Sequence, residues 1–561
     1  MAGSRPLRGR LGETRASVTR VRSKGRSLTG AVCGVAAGTA ALATAQVGGA
    51  LTPGALPPLQ VLGDFVIRVT PVSITEALIR QVGRADKLVL LLSVLVVATA
   101  AAAGVGVTFA RGRIRAAMAG IVVLALLPVA ATRREVTVAP GRELLVLIPS
   151  AVLGAAVLWL LGRPLLDAQD LADAESLPQA QVGDRGAGPK ARAAKRLAAD
   201  RTREMRALHG MYRRQLLKAA MVVAGSAVVG TALVRRLSEP SRALMIRLRA
   251  ALPMPRASLA PLRDEFAGRG ATPLVTTNAA FYRIDTALDP PQVTPEAWSL
   301  TVSRDGESLK SYSYDELLAK ATHEADITIG CVSNEIGGDL IGTARWQGVL
   351  LADLLAEAGV ASAGRISGVS VDGFVASFRA DAAFDGRPSM VAMGMNGQVL
   401  PVKHGFPARL VVPGLYGYTS ATKWLQRIDV SDRTELPGFW ANRGWNPNVT
   451  VHVTSRIDAP RDSTAVPGGT VEFAGIAWAP ITGVASVDVQ VDGGGWQPAQ
   501  LSAAIVGTLW RQWVLTTKLS PGTHKAQVRA TDASGRAQDT VRRRVYPSGA
   551  TGLHQISFTV T

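Results

Sequence analysis

The sequence predicts a multi-domain protein with transmembrane α-helices at the N-terminus, then an α+β domain, then an all-β sandwich. Three observations support this order. Long apolar runs are confined to residues 28 to about 236, although hydrophobic residues make up 47% of the whole chain. From residue 273, strand-like segments alternate with amphipathic helical ones. From about residue 447, strand-like segments recur alone between Gly, Pro and Asp turns.

Four apolar runs are each predicted to cross a membrane as a helix, since about 20 apolar residues span the hydrocarbon layer. A fifth run at 219–234 is short and is extended by Leu216 and Leu217. All six histidines lie outside these runs, which excludes bis-histidine haem within the bilayer for this chain. The four runs are 28–50, 87–110, 114–131 and 142–162.

The net charge of +20 is concentrated beside the apolar runs. Residues 1–27 carry eight Arg or Lys and one acid, and residues 181–214 carry ten and three. Positive charge flanking apolar runs is typical of membrane topology, with the basic side in the cytoplasm. The distribution therefore argues against nucleic-acid binding. With the N-terminus inside, five crossings place everything after residue 236 outside the cytoplasm.

The segment before the fifth run resembles a twin-arginine export signal. It reads "YRRQLLKAAMVVAGSAVVG", with Arg213 and Arg214 followed by Leu216, Leu217 and Lys218. Such signals are receptor-read addresses. The alternative is that the two arginines only flank a helix on its cytoplasmic side.

The soluble half contains recognisable local signals. "SYDELLAKA" predicts a helix with a Ser N-cap and an acidic first turn. "LLADLLAEAGV" predicts a second helix that ends at Gly359. About seven strands over residues 447–561 suggest an immunoglobulin-like sandwich. "DGGGW" predicts a hairpin turn followed by a core tryptophan, Trp496.

These patterns predict seven segments along the chain. They are a basic cytoplasmic tail (1–27), four transmembrane helices (28–162), a cytoplasmic linker (163–212), a fifth transmembrane helix with the twin-arginine-like signal (213–236), a tether (237–272), an α+β domain (273–446) and an immunoglobulin-like domain (447–561).

The chain has only two cysteines, which cannot form a useful disulfide framework. Cys33 lies in an apolar Ala/Gly-rich run and is interpreted as a buried, inert thiol. Cys331 stands between a β-branched run and a glycine-rich loop. It is predicted to be a free thiol, a ligand or a nucleophile.

Three blocks resemble the sulfite oxidase family of molybdopterin oxidoreductases over about residues 273–561. The blocks are "GCVSNEIGGDLIGTARWQGVLLADLL", "MNGQVLPVKHGFPARLVVPGLYGYTSATKWLQRIDV" and "GIAWAPITGVASVDVQVDGGGWQPAQL". The resemblance implies a sulfite-oxidase-type molybdopterin domain followed by an immunoglobulin-like domain of the kind that dimerises. It also implies a molybdenum–molybdopterin cofactor whose single protein ligand is a thiolate, here Cys331. A soft thiolate suits a redox-active metal, which lowers the thiol pKa.

The same resemblance assigns further residues around the cofactor. His404 and Arg409 match the family's histidine and arginine, and Lys423 matches the lysine of its "KW" element. Arg283 falls where the animal enzymes carry an anion-binding arginine, so it joins Cys331 as a catalytic candidate. Arg409 could instead be a surface charge, and Asn334 a simple turn residue. The predicted cofactor-binding residues are Asn278, Tyr282, Cys331, Asn334, His404, Arg409, Ser420, Thr422 and Lys423.

Several departures from the family pattern leave the substrate open. Glu335 and Ile336 stand where the animal enzymes have paired arginines, and a carboxylate facing the pocket would repel a dianion. Ile284 and Asp285 replace an Asn-His pair. Phe374 stands where those enzymes have a catalytic tyrosine. Both sulfite oxidation and S- or N-oxide reduction therefore remain candidates.

The sequence thus predicts a membrane-anchored, extracytoplasmic molybdenum enzyme that performs two-electron oxygen-atom transfer on a small molecule. Neither haem nor an iron–sulfur cluster is expected in this chain, so a separate electron-transfer partner is expected. Membrane lipid and a homodimer are further expected partners. The alternative is a non-catalytic extracytoplasmic scaffold on the same fold. A transporter subunit is a third interpretation, which the scarcity of polar residues in the apolar runs weakens.

Overall fold

The computed structural model describes residues 8–51, 58–70, 86–132, 142–175, 252–287, 290–291 and 293–561. The chain divides into two compact units, Met1–Glu239 and Pro240–Thr561.

The described part of the first unit is helical. Three of its helices are long and apolar enough to cross a membrane, over Ser27–Gly48, Val89–Ala110 and Val146–Leu166. The apolar helix Ile114–Pro128 is shorter. The fifth predicted helix and the twin-arginine-like signal lie outside the described residues. The helices are α1 (Arg8–Leu51), α2 (Pro58–Val69), α3 (Asp86–Ala110), α4 (Ile114–Thr132) and α5 (Arg142–Glu175).

Glycines allow α1 and α3 to pack closely. A Cβ added to Gly106 would lie 2.0 Å from the carbonyl oxygen of Gly30, and one added to Gly34 would lie 2.1 Å from that of Ala102. Apolar side chains gain little by leaving lipid, so helices in membranes associate where small residues let the backbones approach. The Ala- and Gly-rich composition of the first apolar run is therefore suited to helix packing.

The second unit begins with two sheets. The first has the strand order β2-β1-β10-β5-β6, and the second has the order β3-β4-β7-β8, with β9 also paired to β7. Only the β1–β10 pairing is parallel in these two sheets. The strands are β1 (Ser299–Arg304), β2 (Glu307–Ser313), β3 (His323–Gly330), β4 (Ile341–Leu350), β5 (Arg365–Ser370), β6 (Val375–Arg379), β7 (Met390–Met395), β8 (Gln398–Val399), β9 (Arg409–Val411) and β10 (Leu425–Ser431).

Short helices connect these strands. Ser313 and Glu316 form the capping box that begins the first described α-helix of this unit, as its sequence predicts. The second helix ends just before Gly359, whose φ of 78° suits a glycine. The helices are α6 (Tyr314–Lys320), α7 (Leu351–Glu357), α8 (Asp381–Phe384) and α9 (Gly417–Ser420), with 3₁₀ turns at Pro295–Ala297, Val402–His404 and Ala441–Arg443.

The C-terminal β region comprises strands β11 to β19 in two further sheets. Their orders are β11-β13-β17-β16 and β12-β19-β18-β14-β15. Both sheets contribute to one core, in which the rings of Phe473 and Phe558 pack edge to face at 5.5 Å. The strands are β11 (Thr454–Ala459), β12 (Ala465–Val466), β13 (Gly469–Trp478), β14 (Val484–Val491), β15 (Gln497–Pro498), β16 (Gln500–Leu501), β17 (Arg511–Leu519), β18 (Gly522–Asp532) and β19 (His554–Val560).

The immunoglobulin-like assignment of this region stays a prediction. One detail of it is wrong, because Trp496 is only half-buried. The Arg529 guanidinium lies 4.2 Å from the centre of its ring. The tryptophan therefore stacks under an arginine at the surface instead of filling the core.

The C-terminal β region covers the free edge of β3. The Thr328 N–H donates to the Thr508 carbonyl at 3.0 Å, and the Thr508 hydroxyl donates to the Asp326 carbonyl at 2.7 Å. The Trp510 N–H donates to the Thr328 hydroxyl at 3.0 Å. An edge strand presents unpaired backbone groups, and these bonds satisfy some of them. They also fix the strand that leads into Cys331.

Candidate active site

Cys331 begins a ten-residue loop, 331–340, that joins β3 to β4 and is called here the cysteine loop. The two strands pair up to Gly330 and Ile341. The Cys331 N–H then donates to the Leu340 carbonyl at 2.9 Å. The thiol therefore sits at the end of a rigid hairpin, where its position is set by backbone pairing.

Asn334 shapes this loop from inside. Its N–H donates to the Cys331 carbonyl at 3.1 Å, and its side-chain oxygen accepts the Leu340 N–H at 2.8 Å. The side chain does not line the cleft described next. This geometry matches the turn-residue alternative for Asn334.

A cleft opens over Cys331 with about 890 Å³ of empty space, counted out to the solvent at its mouth. Five of the residues predicted from the sequence line it, namely Tyr282, Cys331, His404, Arg409 and Lys423. The remaining lining residues are Phe281, Ile284, Asp285, Thr286, Ile329, Val332, Ser333, Ser370, Asp372, Phe374, Gly417, Tyr418, Ala421, Trp424, Trp440 and Trp445.

The Cys331 side chain is 7% exposed. Burial raises the pKa of its thiol, while the Ser333 N–H, which donates to the sulfur at 3.4 Å, acts in the opposite direction. A neutral thiol is thus favoured in the protein alone. A bound metal cation reverses this preference, because it stabilises the thiolate directly.

Arg409 is a buried cation that lines the same cleft. It is 5% exposed, and its best hydrogen bond goes to the His404 carbonyl at 3.1 Å. Its guanidinium lies 5.1 Å from the Trp346 ring centre. Among the residues that the structure describes, no carboxylate forms an ion pair with it. Burial lowers the pKa of Arg409 to about 10, and nearby Tyr282 opposes this shift. A buried cation without a counter-charge is costly, so the site suits an anionic ligand.

His404 is held in its neutral form. It is 2% exposed, and its Nε2 lies 2.7 Å from the carbonyl oxygen of Asn278, to which it donates. Burial, reinforced by the charges of Arg409, Lys403 and Arg283, lowers the pKa of His404 to about 4, although the Asn278 bond opposes the shift. With Nε2 protonated, Nδ1 is left as an acceptor.

This burial predicts an acid-sensitive fold. Because the pKa of His404 falls from 6.5 to about 4 on folding, only the unfolded chain takes up this proton as the pH drops below 6.5. The free energy of unfolding should therefore decrease by about 1.5 kcal/mol between pH 6.5 and pH 5. His404→Gln should remove that part of the loss. Urea titrations of the cofactor-free chain, followed by tryptophan fluorescence, measure this loss of stability. Equal pH dependence in both proteins would contradict the assignment.

Lys423 and Arg283 share one carboxylate. Both form ion pairs with Asp285, whose side chain is fully buried. Lys423 also donates to the Ile284 carbonyl at 3.1 Å. Arg283 itself does not line the cleft. The replacement of Asn-His by Ile284 and Asp285 thus supplies a counter-charge to the predicted anion-binding arginine.

Three other predicted residues point their polar groups into the protein. The Ser420 hydroxyl donates to the Tyr416 carbonyl at 3.1 Å, and the Thr422 hydroxyl donates to the Gly368 carbonyl at 3.3 Å. The Asn278 amide donates to the Met395 carbonyl at 3.1 Å. None of the three lines the cleft. Asn278 contributes only its backbone carbonyl, which orients His404.

One wall of the cleft is aromatic, and of its residues only Phe374 was singled out by the sequence. Phe374 lines the cleft and packs on Phe439 at 5.9 Å. Trp440 and Trp445 line it as well, with their ring centres 6.1 Å apart, and Trp445 lies 5.8 Å from Tyr418. The only available signal was the clustering of aromatic residues in "GFWANRGW", a loop without strand or helix periodicity. Glu335, by contrast, is exposed and does not line the cleft.

The residues present fit a pterin-bound metal. The cleft offers one soft sulfur donor, one buried guanidinium with no carboxylate partner in the described part of the chain, and a neutral imidazole. A pterin dithiolene would supply the remaining sulfur ligands, and its phosphate needs cationic partners. The chemistry of the donors therefore agrees with the cofactor that the sequence implied.

Comparisons with known proteins identify relatives of this chain. A family model described as "Oxidoreductase molybdopterin binding domain" matches residues 287–440. The sulfite oxidase of Gallus gallus is 31% identical over 319 residues, which cover 47% of this chain and 68% of that protein. The mitochondrial sulfite oxidase of Rattus norvegicus is 32% identical over 289 residues, covering 43% of this chain and 52% of that protein.

A bacterial relative matches over a shorter stretch. The uncharacterized oxidoreductase YuiH of Bacillus subtilis is 32% identical over 150 residues, which cover 27% of this chain and 72% of that protein. The chain spans about half the length of the mammalian relatives it matches.

The matched domain implies a molybdenum–molybdopterin cofactor, whose predicted ligand is the thiol of the cleft. On these matches, the chain belongs to the sulfite oxidase family of molybdopterin-dependent oxidoreductases.

Proposed function

We propose that the cleft binds molybdenum–molybdopterin and performs oxygen-atom transfer to or from a small substrate. The observation that carries the proposal is that one cleft holds a buried thiol, Cys331, and a buried cation, Arg409, which has no carboxylate partner among the residues that the structure describes. When bound, the metal supplies two-electron redox chemistry at an oxygen-atom donor or acceptor. Electrons then pass to or from a separate partner, which is part of the proposal.

Four residues of the cleft have a role in this proposal. Cys331 is the protein ligand of the metal. Arg409 stabilises the anionic part of the cofactor, because its charge has no carboxylate partner among the described residues. His404 remains neutral at physiological pH and offers Nδ1 as an acceptor to an amide-like donor of the pterin. Lys423 holds Asp285 at the cleft wall.

The cleft favours an S- or N-oxide over sulfite as the substrate. A dianionic substrate needs positive charge that no other group already uses. Arg283 is paired with Asp285, and Arg409 is assigned in this proposal to the anionic part of the cofactor. Phe374 offers no hydroxyl, and Trp440 and Trp445, which line the same cleft, present apolar ring surface. A neutral oxide with an organic body satisfies such a wall better than a doubly charged ion does.

Metal analysis and a turnover screen test the proposal together. Protein from a host that makes the cofactor should contain about one molybdenum per chain and should turn over at least one of sulfite, methionine sulfoxide or an N-oxide with an artificial dye. Protein from a host unable to make the cofactor is the control. Stoichiometric protein without molybdenum would support the scaffold alternative instead, and turnover of sulfite alone would contradict the preference for a neutral oxide.

We place the cleft on the extracytoplasmic side of a membrane. The support is the basic segments at 1–27 and 181–214, the three described helices that are long enough to span a bilayer, the shorter apolar helix Ile114–Pro128 and the apolar run at 219–234, which together give five crossings. A reporter enzyme that is active only outside the cytoplasm, fused after Thr561, should be active. An active cytoplasmic reporter at the same position would contradict the placement.

A further inference from the structure

The C-terminal β region holds the cysteine loop through Arg456 on β11. The Arg456 guanidinium donates to the Gly338 carbonyl at 2.6 Å, to Asp458 Oδ1 at 2.6 Å and to the Thr272 hydroxyl at 2.7 Å. The Thr272 N–H closes the network by donating to Asp458 Oδ2 at 2.8 Å. The side chains of Arg456 and Asp458 are 14% and 11% exposed. This is a mostly buried arrangement in which one donor group serves three acceptors.

A second contact from the same region lies beside the first. Gly337 packs so closely on His554 of β19 that a Cβ at this position would lie 2.3 Å from Nε2. His554 is itself held, because its Nδ1 accepts the Ile457 N–H at 3.0 Å. Gly337 also has a φ of 78°, which disfavours other residues. Two consecutive residues of the cysteine loop are therefore fixed by two strands of the C-terminal β region.

We infer that Arg456 is a positioning residue for the Cys331 thiolate. The cysteine loop is closed internally by Asn334, and it is anchored externally at Gly338, seven residues after the thiol. A metal ligand must be held within a fraction of an ångström, which requires support behind the ligand itself. The inference rests on the proposed function, because it assigns the C-terminal β region a part in metal binding. It concerns this region's own contacts and not the cleft lining.

Hydrogen exchange of the cofactor-free chain tests, without any metal, whether the hydrogen bond from Arg456 to Gly338 holds the cysteine loop. The loss of a charge-assisted hydrogen bond should raise local opening of the cysteine loop by roughly tenfold or more in Arg456→Met. Mass spectrometry of peptides spanning 331–340 measures this opening against peptides of β1. Arg456→Lys, which keeps the charge but cannot serve three acceptors, should give a smaller increase and carries the test if Arg456→Met does not fold.

The loaded protein gives the second readout. The sulfur-to-metal charge-transfer absorption should shift or weaken in Arg456→Met. Arg529→Met is the matched control, since Arg529 forms its ion pair with Asp488 on β14, and it should leave both measurements within about twofold of the original protein. Unchanged loop exchange in both Arg456 variants would overturn the inference. The inference would also be overturned if Arg529→Met raised hydrogen exchange of the cysteine loop as much as Arg456→Met does. The same holds if Arg456→Met raised that exchange but left the charge-transfer absorption unaltered.

The two proposals fail separately. If the wild-type protein binds no molybdenum, the proposed function fails while the exchange measurement still reports on the anchor. If molybdenum binds and exchange does not respond to Arg456, only the positioning role fails.

Discussion

Cys331→Ser should abolish molybdenum-dependent turnover while leaving the protein folded. Loss of a group behind a metal ligand already costs about 10–100-fold, so loss of the ligand itself should cost more than about 100-fold. Serine is similar in size, and its hydroxyl can accept the Ser333 N–H that the sulfur accepts now. The fold should therefore tolerate the change. Molybdenum per chain, dye-linked turnover and the thermal unfolding midpoint together measure the result.

The chain supplies its own control for this experiment. Cys33 is the only other cysteine, and its sulfur lies within α1, 3.5 Å from the Leu161 carbonyl of α5. Cys33→Ser should keep its molybdenum and its turnover. Full activity in Cys331→Ser would contradict the ligand assignment. Loss of activity in both variants would point to a general effect of thiol removal.

Arg409→Met should separate cofactor binding from stability. Removing one partner of a buried, hydrogen-bonded charge pair costs about 2–5 kcal/mol, so affinity for the anionic cofactor should fall about 30-fold or more. The cofactor-free protein should behave differently. Since Arg409 has no carboxylate partner among the described residues, its removal also relieves a buried charge. The loss of the Trp346 contact offsets this. The free energy of unfolding should stay within about 2 kcal/mol of the wild type.

Arg345 is the matched control for Arg409. It lies on β4 and pairs with Asp326 through two hydrogen bonds of 2.8 Å. Arg345→Met leaves a mostly buried carboxylate without its partner, which should cost about 3 kcal/mol of stability. Cofactor content per folded chain should not change. The Arg409 assignment would be wrong if Arg409→Met lowered stability as much as Arg345→Met and kept its molybdenum.

Local sequence signals predicted several elements of the fold. The capping box of Ser313 and Glu316 and the end of α7 before Gly359 both follow from short-range preferences. Such preferences concern a few neighbouring residues, so they need no knowledge of the partner elements. Trp496 shows their limit. Burial of a residue after a hairpin turn depends on which face of the sheet meets the core, and here Arg529 covers the ring at the surface.

The sequence by itself determined the chemistry of the candidate site. Cys331, with the histidine and arginine of "HGFPAR" and the lysine of "KWL", supplies the donor groups irrespective of their arrangement in space. Only the tertiary structure decided which groups face the cleft. It places Tyr282, Cys331, His404, Arg409 and Lys423 there, and it turns the polar groups of Asn334, Ser420 and Thr422 towards the backbone. It also pairs Arg283 with Asp285, and it brings Phe374 together with Trp440 and Trp445. The physical reason is that hydrogen bonding and packing join segments far apart in the chain. Local sequence patterns do not specify these contacts.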